Sequence, residues 1–274
     1  MMHNRTILIN GVNYYVRTEG QGEPVLLLHG FTGTANTWAK LIEEYKHQYL
    51  FIAPDLLGHG RTEIPEKAER YSMEQAARDM KELVNSLGFE SVHVLGYSMG
   101  GRLALGTAML YPDLAKSLVL ESASPGLQTE KERQNRKAND ANLANRILHK
   151  GIEEFVEEWT TIPLFSSQNR LPIDVKEAIR KERLSHKEEG LANSLLGMGT
   201  GSQPSWWEQL QSLQIPVLLV TGELDEKFIH IAKRMEISLP ISQFVMIHGV
   251  GHAIHVEDWR EFGKIVIGFF ENIK

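Results

Sequence analysis

Residues 91–102 read Ser-Val-His-Val-Leu-Gly-Tyr-Ser-Met-Gly-Gly-Arg, and this stretch decides the fold. The run from Val92 to Leu95 predicts a strand, Gly96-Tyr97-Ser98-Met99-Gly100 a sharp turn, and Arg102-Leu-Ala-Leu-Gly-Thr-Ala-Met-Leu110 a helix. The backbone doubles back so tightly that a Cβ at Gly96 or Gly100 would strike a neighbouring strand or helix. Such a turn lifts Ser98 to the sheet edge, at a helix N-terminus whose unpaired amides favour negative charge.

The same rhythm repeats on either side. Arg5-Thr-Ile-Leu-Ile9 and Val12-Asn-Tyr-Tyr-Val-Arg17 flank Asn10-Gly11, whose tolerance of positive φ predicts a tight hairpin. Val25-Leu-Leu-Leu-His29 has the unbroken apolar character of a central strand covered on both faces. A loop, Gly30-Phe31-Thr-Gly33, leads into a helix reaching about Lys46, and Tyr49-Leu-Phe-Ile-Ala53 predicts a strand ended by Pro54. After the polar loop Asp55-Leu-Leu-Gly-His-Gly-Arg61, Ser72 is the expected N-cap of a helix to Leu87, with Gln75 completing a capping box. Ser117-Leu-Val-Leu-Glu121, Pro216-Val-Leu-Leu-Val-Thr-Gly222 and Gln243-Phe-Val-Met-Ile247 read as further strands, with a helix over residues 228–237. In a last helix over 258–272, Trp259, Phe262, Val266 and Phe269 share one face and are expected in the core. The alternation predicts an α/β fold: a mostly parallel sheet, antiparallel only at its N-terminal edge, with helices on both faces.

Between Glu121 and Pro204 the rhythm stops. Residues 124–204 are polar and helix-prone, without β-branched runs, repeats or low complexity, and are punctuated by Pro163, Pro172 and Pro204. They are expected to form a helical cap insertion rather than a linker, leaving residues 1–123 and 205–274 as the core.

Composition narrows the function. A chain of 274 residues can bury a full core, and a net charge of −6 gives no field to hold a polyanion, which argues against nucleic acid. The absence of cysteine excludes disulfides, thiolate metal sites and a Cys nucleophile. The segment from Met1 to Asn10 is too short in its apolar part for a signal peptide, and no stretch approaches the roughly 20 apolar residues of a membrane span, so a cytoplasmic location is expected.

In open parallel sheets, functional loops follow the carboxyl ends of strands. Asp225 stands after Gly222, and His252 after Ile247; with Ser98 they give the order Ser, Asp, His. A serine hydroxyl is inert near neutral pH unless an imidazole accepts its proton, and an acid holds that imidazole in the required tautomer. His255 and His248 compete with His252, and Glu223, Glu226 and Glu121 with Asp225; the glycine before His252 leaves room for close approach. His29, His59 and His93 read as structural hydrogen-bonders. The backbone amides of Phe31 and Met99 are the expected oxyanion donors. Arg102 opposes the helix dipole in the first helical turn and lies four residues from Ser98, which points to a pocket carboxylate rather than a surface role. No spacing supports a metal site, and no glycine-rich loop fits a nucleotide fingerprint.

His29-Gly30-Phe31-Thr-Gly33, Gly96-Tyr97-Ser98-Met99-Gly100-Gly and Gly251-His252 resemble the α/β-hydrolase superfamily. More narrowly, the segments around Ser98 and Arg102, Pro125-Gly-Leu-Gln128, Met198-Gly-Thr-Gly-Ser-Gln-Pro204 and Gly222-Glu-Leu-Asp225-Glu-Lys-Phe228 resemble the 2-succinyl-6-hydroxy-2,4-cyclohexadiene-1-carboxylate (SHCHC) synthases of menaquinone biosynthesis. That resemblance implies a cofactor-free lyase in which the triad serine acts as base and pyruvate is eliminated from a small tricarboxylate. It also implies substrate-binding roles for Arg102, Arg136 (with Arg133 as rival), Arg183, Tyr97 and Trp159. The same triad would equally serve a serine hydrolase of esters or of carbon–carbon bonds in dienoic acids; a non-catalytic binding protein is the remaining alternative.

Overall fold

The computed structural model describes residues 3–273, so Met1, Met2 and Lys274 lie outside the described residues, as do the first two positions of the N-terminal segment read above. Eight strands form one sheet: β1 (His3–Ile9), β2 (Val12–Gly20), β3 (Glu23–Leu28), β4 (Tyr49–Pro54), β5 (Val92–Tyr97), β6 (Ala115–Glu121), β7 (Val217–Gly222) and β8 (Ser242–Ile247). Around it lie α1 (Ala39–Tyr45), α2 (Met73–Ser86), α3 (Met99–Leu110), α4 (Glu130–Thr160), α5 (Ile173–Leu184), α6 (Glu188–Met198), α7 (Glu226–Ser238), α8 (Ile254–Glu257) and α9 (Trp259–Glu271). The order is β1-β2-β4-β3-β5-β6-β7-β8. β2 runs antiparallel to both β1 and β4, and every other pairing is parallel.

Period-two alternation splits the strand residues between two cores. Leu26, Leu28, Val94, Leu118, Leu120 and Leu219 face α2, α3 and α7, joining Leu83, Leu103 and Met235. Val25, Leu27, Leu95, Val119, Leu218 and Val220 face α1 and α9, joining Ile42, Phe262 and Val266. Because both faces are covered, the strands carry unbroken apolar runs, and each fully buried Leu or Val contributes about 1.5–3 kcal/mol.

Two details differ from expectation. Ser72 caps α2 by accepting from the Gln75 amide, but the return bond of a capping box is not made. On α9 the buried stripe is Phe262, Val266, Ile267 and Phe270, while Trp259 and Phe269 are only half-buried. Trp259 sits at the stripe's rim with the Arg260 guanidinium 4.5 Å from its ring centre, a place for an amphipathic ring rather than a core one.

Between β6 and β7 the chain forms α4, α5 and α6, with a small apolar cluster of their own that includes Ile147, Phe155, Leu191 and Leu195. α4 is broken at Gly151, whose φ of 86° only glycine adopts freely. The amide of Ile152 freed by the break is taken by Glu188 at 3.0 Å, so α6 fixes the angle at which Phe155 and Trp159 descend toward the sheet.

Candidate active site

The turn after β5 holds Ser98 at φ 50° and ψ −106°, a sparsely populated conformation costing on the order of 1–3 kcal/mol. Neighbours leave no alternative: a Cβ on Gly100 would overlap the Leu28 carbonyl, and one on Gly96 the Gly100 carbonyl. The Ser98 amide is tied to Glu121 O at 2.8 Å, and its carbonyl accepts from the Arg102 amide at 3.0 Å. The hydroxyl is thereby fixed at the head of α3.

The loops after β7 and β8 converge on it. His252 Nδ1 donates to Asp225 Oδ2 at 2.6 Å, and the Ser98 hydroxyl lies 3.0 Å from His252 Nε2. Asp225 and His252 are both buried. With Nδ1 protonated toward the carboxylate, Nε2 presents a lone pair to the hydroxyl, the arrangement needed to draw off its proton. The competing residues go elsewhere. Glu121 accepts from the His255 amide at 3.0 Å and from its Nδ1 at 2.8 Å, deep against Trp38 and Tyr97. Glu223 pairs with His248 at 3.2 Å on the exposed surface. His29 bridges the Gly30 carbonyl and the Leu56 amide, His59 donates to Leu57 O, and His93 lies between Ser117 and Glu23.

Ser98 and His252 open into a cavity of about 350 Å³ with Phe31 and Met99 in its wall. Met99 is the first residue of α3, so its amide has no acceptor within the helix. The charges are one-sided: Arg102, Arg136, Lys227 and Arg234 line the cavity, against the single carboxylate of Glu132, which is engaged with Thr129.

Arg102 is buried, not snorkelling to water, and is held by the Met198 carbonyl at 2.8 Å and Gln203 Oε1 at 2.5 Å. Burial, reinforced by Arg136, brings its guanidinium pKa down to about 10. Arg136 is aimed into the cavity by Asp140 at 2.7 Å, whereas Arg133 pairs with Glu130 outside it. Trp159 stands on Phe31 and Phe165 and lines the cavity. Tyr97 forms the back wall; burial first, and then Glu121, push its phenol well above the ordinary value, so it stays neutral.

Arg183 departs from the expectation. It is buried, donates to Thr160 Oγ1 at 2.8 Å and lies 4.8 Å from the Phe165 ring centre, but it lines a second cavity of about 720 Å³. The two cavities share Phe31, Tyr97 and Phe165 as walls. Sequence reading missed Lys227 and Arg234, although Lys227, Ile231 and Arg234 recur at spacings of four and three along α7 and mark one helix face. Among the described residues no cluster of three or more His, Cys, Asp or Glu could hold a metal, and no helix is long and apolar enough to cross a membrane.

The α/β-hydrolase fold family model matches residues 23–258. A Bacillus subtilis (strain 168) protein provisionally named 2-succinyl-6-hydroxy-2,4-cyclohexadiene-1-carboxylate synthase is 47% identical, over 96% of this chain and 97% of its own length. Among solved structures, MenH from S. aureus superposes with a TM-score of 0.88 at 35% identity, over 95% of this chain and 97% of that one. A malate-bound thermophilic esterase from Thermogutta terrifontis also gives 0.88, at 28% identity over 99% of both chains. The chain belongs to the α/β-hydrolase fold family and, within it, to the SHCHC synthases.

Proposed function

We propose that the protein eliminates pyruvate from 2-succinyl-5-enolpyruvyl-6-hydroxy-3-cyclohexene-1-carboxylate to give 2-succinyl-6-hydroxy-2,4-cyclohexadiene-1-carboxylate, a step of menaquinone biosynthesis. One observation carries the reading: the Ser98–His252–Asp225 chain opens into a cavity lined by Arg102, Arg136, Lys227 and Arg234, and a substrate with three carboxylates matches that field. His252 withdraws the Ser98 proton, and the serine oxygen removes the ring hydrogen at C2. That hydrogen is acidic because it lies next to the succinyl carbonyl, and the charge growing on the carbonyl oxygen meets the amides of Phe31 and Met99. Electrons shift from the broken C–H bond through the ring alkene, the C5–O bond breaks, and enolpyruvate departs. The proton held by His252 returns to the leaving group, which becomes pyruvate, and no co-reactant is consumed.

Arg102 and Arg136 hold carboxylates in this cavity, with Tyr97 and Trp159 as walls. Arg183 reaches the substrate only if Phe165 swings aside. Residues 124–204 act as a cap over a core of 1–123 and 205–274, and the reaction takes place in the cytoplasm.

Purified protein given the enolpyruvyl precursor should release pyruvate, measured by coupled NADH oxidation, in step with loss of precursor; no release sinks the reading. A serine hydrolase would use the same three side chains, so nitrophenyl ester turnover is measured alongside. Ester hydrolysis faster than elimination would reverse the assignment.

A further inference from the structure

The cation set of the Ser98 cavity includes side chains that the triad and the arginines of α3 and α4 leave unexplained. Lys227 lies in the first turn of α7, where the positive end of the helix dipole disfavours a cation. Among the described residues its ammonium makes no hydrogen bond or ion pair: Asp225, two positions earlier, is committed to His252, and the ammonium lies 5.3 Å from the Phe228 ring centre. Arg234 lies seven positions further along the same face. Its Nη2 donates to Gln128 Oε1 at 2.6 Å, its guanidinium stacks 4.2 Å from the Trp207 ring centre, and its other N–H groups have no protein acceptor among the described residues. Both side chains line the cavity.

We infer that Lys227 and Arg234 form an outer carboxylate subsite on α7, which makes the cavity select anions carrying several carboxylates over anions carrying one. The inference rests on the proposed function for the natural occupant, though the chemistry of the subsite is independent of it. Lys227 stands close to a third cation, Arg136, and the acids nearest the pair are already engaged, Asp225 with His252 and Glu132 with Thr129, so the cluster is short of negative charge until an anion arrives. Burial first, and then Arg136, lower the Lys227 pKa against a smaller opposing pull from Asp225. A polyanion spanning the inner arginines and the α7 pair relieves that shortage at several points, whereas a monoanion satisfies one point and leaves the rest.

The test uses Lys227→Gln, Lys227→Arg and, as control, Lys233→Gln on the exposed part of the same helix. For the precursor, Lys227→Gln should raise KM roughly tenfold with kcat changed less than about threefold, Lys227→Arg should recover most of the loss, and Lys233→Gln should match the wild type. In parallel, citrate and acetate are compared as protectants of Ser98 against a fluorophosphonate probe. Citrate should protect at far lower concentration than acetate, and Lys227→Gln should remove most of that advantage. An unchanged KM, a kcat that falls in proportion to the rise in KM, or citrate protecting no better than acetate would overturn the subsite. If the wild type releases no pyruvate yet citrate protection depends on Lys227, the functional reading fails and the subsite stands.

Discussion

The two cavities on either side of Tyr97 hold nearly the same chemical parts. One has the pair His252–Asp225 and the buried Arg102; the other has His255 paired with Glu121 and the buried Arg183. Both histidines donate Nδ1–H to a buried carboxylate, and both rings pack on Tyr97, at 5.4 and 4.5 Å. The difference is what the far edge of the ring meets. His252 Nε2 faces a hydroxyl that the strained turn after β5 pushes forward, whereas no hydroxyl meets His255 Nε2 among the described residues. A histidine–acid pair is therefore common architectural material here, and the glycines that shape the elbow decide which pair can do chemistry.

The sharpest way to test the contrast is to remove the distinguishing atom. Ser98→Ala should lower kcat for pyruvate release by about 10⁵-fold while leaving the fold intact, since alanine keeps the Cβ of the turn, removes only the hydroxyl that faces the cavity and opens no hole in the core. Residual elimination within about a hundredfold of wild type would mean that His252 alone suffices as base. Next come matched changes to the two acids. Asp225→Asn should cost about 10³- to 10⁴-fold in kcat by favouring the wrong imidazole tautomer. Glu121→Gln should change kcat by less than about tenfold but lower stability by about 1–3 kcal/mol, because the amide replaces one of two buried acceptors. Kinetics and thermal unfolding of both variants separate the roles, and a crossed result would exchange them.

The arginines extend the same contrast to substrate capture. Arg102→Ala, in the cavity that holds Ser98, should reduce kcat/KM for the tricarboxylate precursor about a hundredfold, with a much smaller effect on a neutral nitrophenyl ester. Arg183→Ala, behind Phe165, should cost nearer tenfold. Equal losses would show that the two cavities join during turnover.

How much of this could be read from sequence follows from range. The sheet, its antiparallel edge and the elbow were legible because each is written in local signals: unbroken apolar runs, Asn10-Gly11, and glycines flanking Ser98. Asp225 and His252 were legible because they follow strand ends whose neighbours in a parallel sheet are predictable. Glu121 and His255 carry the same local signals and are rivals in sequence; they leave contention because they pair with each other while the Ser98 hydroxyl meets His252 Nε2. Arg183 carries no local feature that says on which side of Phe165 it falls. Lys227 and Arg234 were hidden because a charge on an amphipathic helix normally faces water, and the direction of α7's polar face depends on where α4 lies across the cavity. The stripe on α9 differs from its sequence pattern because Trp259 and Phe269 are as apolar as their neighbours, and spacing alone does not tell a rim position from a core one.

Acid should separate the two regions with the smallest effect. The second cavity, lined in part by Gly30, Thr32 and Gly60, rests on three buried histidines. His59 sits between His29 and His186 with ring centres 5.1 and 5.2 Å away. His186 accepts from the Gly60 amide through Nδ1 and donates to the Thr32 carbonyl through Nε2, so both nitrogens are committed in the neutral ring and an added proton would face a donor. Burial holds the pKa of His186 down to about 4 and that of His29 to about 3, and pushes His59 well below its ordinary value, helped there by repulsion from the other two. Unfolded histidines take up protons near pH 6.5 while the folded ones resist, so stability is present above that pH and drains away as pH falls through 6.5 toward 4. His186 alone accounts for roughly 3 kcal/mol at most across that window. Glutamine can satisfy both the Gly60 amide and the Thr32 carbonyl without titrating. His186→Gln should therefore move the acid-unfolding midpoint to lower pH while leaving the melting temperature at pH 8 within a few degrees. An unchanged acid midpoint would place the proton-sensitive weakness elsewhere, in the buried histidine–acid pairs His252–Asp225 and His255–Glu121.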